Sequence, residues 1–80
     1  MRSVMIRLED RIQISERIRE IRLNAELLQY EFGERLGVSR VTVCRWENWA
    51  QLPPMKTIRK MAKKFNTTPQ WILYGSEKDE

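Results

Sequence analysis

The spacing of hydrophobic residues predicts five short helices along this chain. From Ser15 onward, apolar side chains recur every three or four positions, as they do on one face of a helix. Gly37 and Gly75 follow the second and fifth of these segments, where a left-handed residue commonly ends a helix. Pro53 and Pro54 lie in the loop before the fourth. The predicted helices span residues 15–24, 29–36, 39–48, 55–65 and 69–74, so the sequence predicts an all-α fold.

The first fourteen residues follow a different pattern. Apolar and polar residues alternate from Val4 onward, which is typical of a short strand or an extended arm. A helical alternative stays open, because Met5, Leu8 and Ile12 also fit helical spacing. The sequence therefore divides into an N-terminal arm, a helical domain that begins at Ser15 as its N-cap, and a disordered tail, over residues 1–14, 15–75 and 76–80.

Positive charge is concentrated in one third of the chain. The length of 80 residues suits one small domain, and the net charge is +4. Residues 39–64 contain seven lysines and arginines against a single glutamate. Such a localised basic surface is typical of proteins that bind a polyanion. For residues 56–64 alone, a solvated helix face explains the charge equally well.

The residue types that most enzymes and metal sites require are scarce. The chain has no histidine, and Cys44 is its one cysteine, so an internal disulfide and a histidine- or cysteine-rich metal site are excluded. Neither a glycine-rich phosphate loop nor a nucleophile beside a base is present. We therefore expect no enzymatic activity, no metal, no cofactor and no small-molecule substrate. The apolar runs are too short for a signal peptide or a membrane span, so we expect a cytoplasmic protein.

The second and third predicted helices have the sequence pattern of a helix-turn-helix. Two helices that cross closely need a small residue at their contact and a residue that accepts positive φ in the turn. Gly33 and Gly37 fit these two positions. Val43 and Trp46 lie three residues apart in the third helix and are predicted to face the core. Its remaining side chains are then left on the outer surface.

At these residues the chain resembles the Cro/lambda-repressor family of helix-turn-helix proteins, also called XRE-like. The resemblance covers about residues 14–75, and its most specific pieces are Leu36-Gly37-Val38-Ser39-Arg40, Trp46-Glu47-Asn48, Leu52-Pro53-Pro54 and Trp71-Ile72-Leu73-Tyr74-Gly75. It implies a five-helix lambda-repressor-like DNA-binding domain, preceded here by the arm. It also implies that the third helix enters the major groove and that a dimer binds a palindromic operator.

The outer side of the third helix supplies the candidates for base contact. Arg40 lies in the first turn, and arginine donates two hydrogen bonds to guanine O6 and N7. Val41 offers a methyl surface for the thymine C5-methyl group. We predict that Arg40 is the main base-contacting residue and that Ser39, Val41 and Arg45 tune specificity. The alternative for each is an ordinary exposed side chain.

Four further residues are candidates for phosphate contact. Gln29 matches a glutamine that the family places at the start of its second helix, where free N–H groups and the helix dipole attract a phosphate. Leu28 stands before it in place of the family's serine or threonine cap. Thr42, Asn48 and Lys56 are the other candidates. Asn48 has a purely structural alternative as a helix C-cap.

The resemblance also implies one ion pair, and the sequence departs from the family pattern at one further position. It implies that Arg22, late in the first helix, pairs with Glu47 at the end of the third, and that this pair orients the third helix. Trp49 stands where the family often has glycine. Because a bulky residue adopts the left-handed conformation at a cost, we expect Asn48 to adopt it. We expect Trp49 to fill the core, and the alternative is that it adds to a dimer surface.

These observations together predict a sequence-specific regulator that binds double-stranded DNA, most simply a repressor. The chain ends soon after the fifth helix, so we expect a stand-alone regulator of phage or prophage type. Its homodimer would then form through the fifth helix, the adjoining region or the arm, which pairs or swaps between subunits. The alternative is an antitoxin-type protein-interaction module that also represses its own operon.

Overall fold

Five α-helices make up residues 8–75, the part of the chain that the computed structural model describes. The helices are α1 (Leu8–Asn24), α2 (Gln29–Leu36), α3 (Arg40–Glu47), α4 (Met55–Lys64) and α5 (Pro69–Tyr74). The predicted all-α class is confirmed. The bounds of α2 and α5 match the prediction, and those of α3 and α4 match it to within one residue. Local signals define these ends: Gly37 and Gly75 are left-handed C-caps, and Thr68 accepts a hydrogen bond from the Trp71 N–H as the N-cap of α5.

The start of α1 differs from the prediction. The helix begins at Leu8, so the expected strand or extended arm is wrong for residues 8–14. The cause is tertiary: Ile14, Ile18 and Ile21 form one buried row on the helix, and Ile14 is only 1% exposed. Ser15, expected as the N-cap, is buried inside this helix. Residues 1–7 of the predicted arm and the predicted tail, residues 76–80, lie outside the described residues.

The core lies where all five helices converge. Trp46 of α3 is 1% exposed and is the largest fully buried side chain in residues 8–75. Phe32 of α2 packs against Phe65, with ring centroids 5.0 Å apart. The buried apolar residues are Ile14, Ile18, Ile21, Leu27, Phe32, Leu36, Val43, Trp46, Ile58, Met61, Ala62 and Ile72. Since α3 contributes Val43 and Trp46 to this cluster, one side of α3 is fixed in the core.

Two basic side chains each donate a hydrogen bond to a carbonyl near the C-terminus of another helix. The Arg17 Nη1 atom of α1 donates to the Ile72 carbonyl of α5 at 3.0 Å. The Lys60 Nζ atom of α4 donates to the Leu36 carbonyl at the end of α2 at 3.3 Å. A cation at a helix C-terminus is favourable because the last carbonyls lack partners within the helix. Within residues 8–75, no helix has the length and apolar character needed to cross a membrane.

Candidate nucleic-acid interface

The turn between α2 and α3 depends on two glycines. A Cβ atom on Gly33 would lie 2.6 Å from the Val38 carbonyl oxygen, so the turn passes too close to α2 for any side chain there. Gly37 has φ of 77°, in the left-handed region. Its N–H donates to the Glu34 carbonyl, and the Val38 N–H donates to the Gly33 carbonyl at 2.9 Å. Both glycines therefore occupy the positions that the helix-turn-helix pattern assigned to them.

One long side of α3 is left at the surface. Val43 and Trp46 are buried, as predicted, whereas Ser39, Arg40, Val41 and Arg45 are exposed. The structure therefore places all four predicted base-contacting residues on the same outer part of the molecule. No other segment of residues 8–75 covers them, so two guanidinium groups and an apolar methyl surface are accessible along one short helix.

The start of α3 is fixed by its own cap. The Ser39 Oγ atom accepts a hydrogen bond from the Thr42 N–H at 3.2 Å, and the two hydroxyl oxygens are also 3.2 Å apart. The Ser39 and Thr42 hydroxyls thus contact each other in the protein itself. Capping is a structural role for Ser39, and it leaves Arg40 as the charged side chain in the first turn.

A nearly buried ion pair joins α3 to α1. The Arg22 Nε and Nη2 atoms donate to Oε2 and Oε1 of Glu47 at 2.6 and 3.0 Å. The side chains are 11% and 6% exposed. The hydrogen bond to Glu47 raises the pKa of Arg22 above its ordinary value, because it stabilises the charged guanidinium. Arg22 Nη1 also donates to the Leu27 carbonyl at 2.9 Å. The pair that the family resemblance implied is present.

Gln29 belongs to this polar cluster. Its Nε2 atom donates to Glu47 Oε1 at 3.1 Å. The amide of this predicted phosphate ligand therefore shares the Glu47 carboxylate with Arg22. The first turn of α2 is capped in an unexpected way. Leu28 offers no side-chain cap, and instead the Glu31 carboxylate accepts from the Leu28 N–H at 2.8 Å.

A shallow groove runs beside this cluster between α1 and the C-terminal half of α3. Its lining residues are Arg19, Arg22, Gln29, Cys44, Glu47 and Asn48. The sequence pattern did not single out Arg19, an exposed cation on α1 at the edge of this groove. The available signal was its spacing of three residues from Arg22, which places both on one side of α1. The groove therefore brings Gln29 and Asn48 together with an additional basic residue.

The remaining predicted phosphate ligands are placed differently. Asn48 is the C-cap of α3, and its Oδ1 atom accepts from the Ala50 N–H at 3.2 Å. Lys56 lies exposed in the first turn of α4, away from the groove lining. Within residues 8–75, no group of acidic, cysteine or histidine side chains is arranged to hold a metal ion.

Two expectations are wrong here, that Asn48 is left-handed and that Trp49 fills the core. Trp49 itself takes the left-handed conformation, with φ of 53°, while Asn48 has φ of −108°. The indole is 45% exposed and is not part of the core. The backbone around it explains the conformation, because the Ala50 and Gln51 N–H groups both donate to the Arg45 carbonyl, at 3.0 and 3.3 Å. These bonds form only if the chain reverses at Trp49.

A five-helix domain with this turn and this exposed helix defines a helix-turn-helix protein, and comparison with known proteins agrees. The profile of the family HTH_3, described as Helix-turn-helix, matches residues 18–72. The chain belongs to this family.

Two curated relatives are regulators of transcription. The HTH-type transcriptional regulator DicA of Escherichia coli (strain K12) is 35% identical over 66 residues, which are 82% of this chain and 49% of DicA. The HTH-type transcriptional activator BcrR of Enterococcus faecalis is 29% identical over 66 residues, which are 82% of this chain and 32% of BcrR. The chain thus spans about half the length of the first relative and a third of the second.

A solved structure matches the fold closely. The P22 c2 repressor in complex with a synthetic operator superposes with a TM-score of 0.74 and 28% sequence identity. The match covers 79% of this chain and 96% of that one. The lambda-repressor-like fold expected from the sequence is therefore confirmed.

Proposed function

We propose that this protein is a sequence-specific transcription regulator that binds double-stranded DNA through α3 in the major groove. One observation carries the proposal: Val43 and Trp46 fix one side of α3 in the core, while Arg40, Val41 and Arg45 are exposed on the other. A major groove about 12 Å wide admits one α-helix. An eight-residue helix that carries two exposed arginines fits that space and its pattern of acceptors.

The exposed residues divide by chemistry. Arg40 is proposed to donate to guanine O6 and N7 from the first turn, and Arg45 to contact a base or an adjacent phosphate further along α3. Val41 is proposed to contact a thymine methyl group, and Ser39 to contact a base edge while it caps the helix.

The surrounding polar residues are proposed to bind the sugar–phosphate backbone. Gln29, Asn48 and Arg19 line one groove. The sugar–phosphate backbone of one DNA strand in this groove would contact two neutral amide side chains and a cation. Thr42 and Lys56 are proposed to contribute contacts on either side of it. These contacts fix the register of the protein on DNA without distinguishing sequences.

The proposal includes dimeric repression. One α3 reaches only a few base pairs, so two copies are needed to specify an operator, and a twofold pair binds a palindrome. Repression is favoured over activation because bound protein excludes other proteins from its site without needing a second surface. The relatives are named as transcription regulators, and the proposed activity is likewise binding rather than catalysis. We propose that the protein acts in the cytoplasm, as a regulator of prophage type would.

Selection from a pool of random-sequence duplexes tests this function. The purified protein is expected to enrich an inverted repeat whose half-sites lie about 10 base pairs apart, centre to centre. The matched control is the double variant Arg40→Ala with Arg45→Ala, which keeps the buried side of α3 and should enrich no motif. If the native protein enriches nothing, or both proteins enrich the same sequences, α3 does not determine specificity and the proposal is wrong.

A further inference from the structure

Every helix of the described domain is followed by a left-handed residue, but only α3 uses a large aromatic one. Gly37 and Gly75 occupy this position after α2 and α5. Glu26 and Asn66, with φ of 60° and 59°, occupy it after α1 and α4. Trp49 is the bulkiest residue in this conformation within residues 8–75. The left-handed region is unfavourable for residues with a Cβ atom, and glycine avoids that cost.

Neither the backbone nor the core accounts for tryptophan at this position. Glycine would make the same reversal, and the Ala50 and Gln51 hydrogen bonds to the Arg45 carbonyl involve backbone atoms alone. Core packing does not require the indole either, because it is 45% exposed whereas Trp46, three residues earlier, is 1% exposed. Strained residues persist where their neighbours enforce them, and they concentrate at functional sites.

The neighbours do enforce this conformation. Besides the two bonds to the Arg45 carbonyl, Asn48 Oδ1 accepts from the Ala50 N–H. Arg11 of α1 adds a bond from outside the loop, since its Nη2 atom donates to the Ala50 carbonyl at 3.1 Å. The backbone that carries the indole is therefore fixed, four residues after Arg45, which is one of the residues proposed to reach DNA.

We propose that Trp49 is an additional DNA-contacting residue, whose indole packs on the sugar–phosphate backbone at the wall of the groove that α3 enters. This inference rests on the proposed function and goes beyond its set of residues. Eight residues of α3 are about 12 Å long, so with Arg40 at the bases the far end of the helix meets the groove wall. There the indole face covers deoxyribose carbons, and its Nε1–H donates to a phosphate oxygen.

Comparison of Ala and Gly at this position separates backbone strain from DNA contact. Trp49→Ala removes the indole and keeps the Cβ atom, whereas Trp49→Gly removes both. We expect Trp49→Gly to unfold at a temperature about 4 °C higher than Trp49→Ala, because only glycine relieves the left-handed strain. We expect both variants to bind the selected duplex about five- to tenfold more weakly than the native protein, and equally so, because both lose the apolar contact of the ring and its Nε1–H donor. Trp49→Phe should bind more weakly than the native protein and more tightly than Trp49→Ala, since it keeps an aromatic face but loses the Nε1–H donor.

A spectroscopic readout locates the contact directly. The chain has three tryptophans, so protein labelled with 5-fluorotryptophan gives three ¹⁹F signals, and the Trp49→Phe variant identifies one of them. Titration with the selected duplex should shift the Trp49 signal and leave that of buried Trp46 nearly unchanged. The matched control is Leu23→Ala, which truncates an exposed apolar side chain of α1. This variant should bind DNA as the native protein does.

Three results would overturn the inference. The first is native affinity in Trp49→Ala while the native protein binds DNA, which rejects the contact and leaves the proposed function intact. The second is a loss of affinity that follows loss of the dimer in sedimentation, with an unmoved Trp49 signal on DNA, which assigns the indole to a second copy of the chain. The third is a native protein that binds no duplex at all, which rejects the proposed function and the inference together.

Discussion

The guanidinium of Arg22 and the carboxylate of Glu47 are joined by two hydrogen bonds, of 2.6 and 3.0 Å, that connect α1 to the last residue of α3. Both side chains are nearly buried, so neither charge has water as an easy alternative partner. The pair acts at the end of the helix whose outer side carries Arg40 and Arg45. Its consequence is a fixed position of α3 relative to the rest of the domain.

Removal of the Glu47 charge should therefore lower the stability of the domain. Glu47→Gln leaves the Arg22 guanidinium buried opposite a neutral amide, and we expect the free energy of unfolding to fall by about 2 kcal/mol. Urea denaturation followed by circular dichroism measures this change. Glu34→Gln, at an exposed position of α2, is the control and should change stability by less than about 0.5 kcal/mol. Equal stability of the two variants would mean that the pair contributes only geometry.

Gly33→Ala should destabilise the domain through a steric clash. The new methyl group would lie 2.6 Å from the Val38 carbonyl oxygen, and that atom belongs to the backbone of the turn, which cannot rotate away. We expect a loss of about 2 kcal/mol in the free energy of unfolding, measured by thermal or urea denaturation. Arg35→Ala, on the exposed side of the same helix, serves as the comparison. A Gly33→Ala variant as stable as Arg35→Ala would show that the turn can shift without cost.

Two single substitutions should distinguish base contact from phosphate contact. Arg40→Ala is expected to weaken operator binding by about 1–3 kcal/mol and to relax preference at one base position. Lys56→Ala is expected to weaken binding to all sequences alike, because a phosphate contact carries no sequence information. Competition binding with single-base variants of the selected duplex measures both effects. Unchanged base preference in Arg40→Ala would remove this residue from the set of base-contacting residues.

Binding should also depend steeply on salt. With about four or five phosphate contacts per subunit, a dimer is expected to give a slope of about −7 to −9 in a plot of log affinity against log salt concentration. Lys56→Ala should make the slope shallower by about 2 for the dimer, one unit per subunit. Fluorescence anisotropy at salt concentrations from about 50 to about 200 mM provides the measurement. A nearly flat dependence would contradict an interface built on phosphates.

Local signals account for the parts of the fold that the sequence predicted well. The turn at Gly37, the Thr68 cap with Pro69 after it, and the end at Gly75 each depend on neighbours within a few residues. The start of α1 lacked such a signal, because its apolar residues fit both a period of two and a helical period. Burial of Ile14 against the other helices decided between them.

The candidate site divides in the same way. The sequence by itself determined which side of α3 is buried, because Val43 and Trp46 are apolar at helical spacing, and it thereby determined that Arg40 and Arg45 face outward. The sequence pattern did not predict the left-handed conformation of Trp49. Local bonds from the Ala50 and Gln51 N–H groups to the Arg45 carbonyl form it, and only the tertiary structure supplied the further bond from Arg11 of α1. The tertiary structure also decided that the Gln29 amide donates a hydrogen bond to Glu47, eighteen positions away. Contacts between distant segments depend on how whole helices pack, and no local spacing encodes that arrangement.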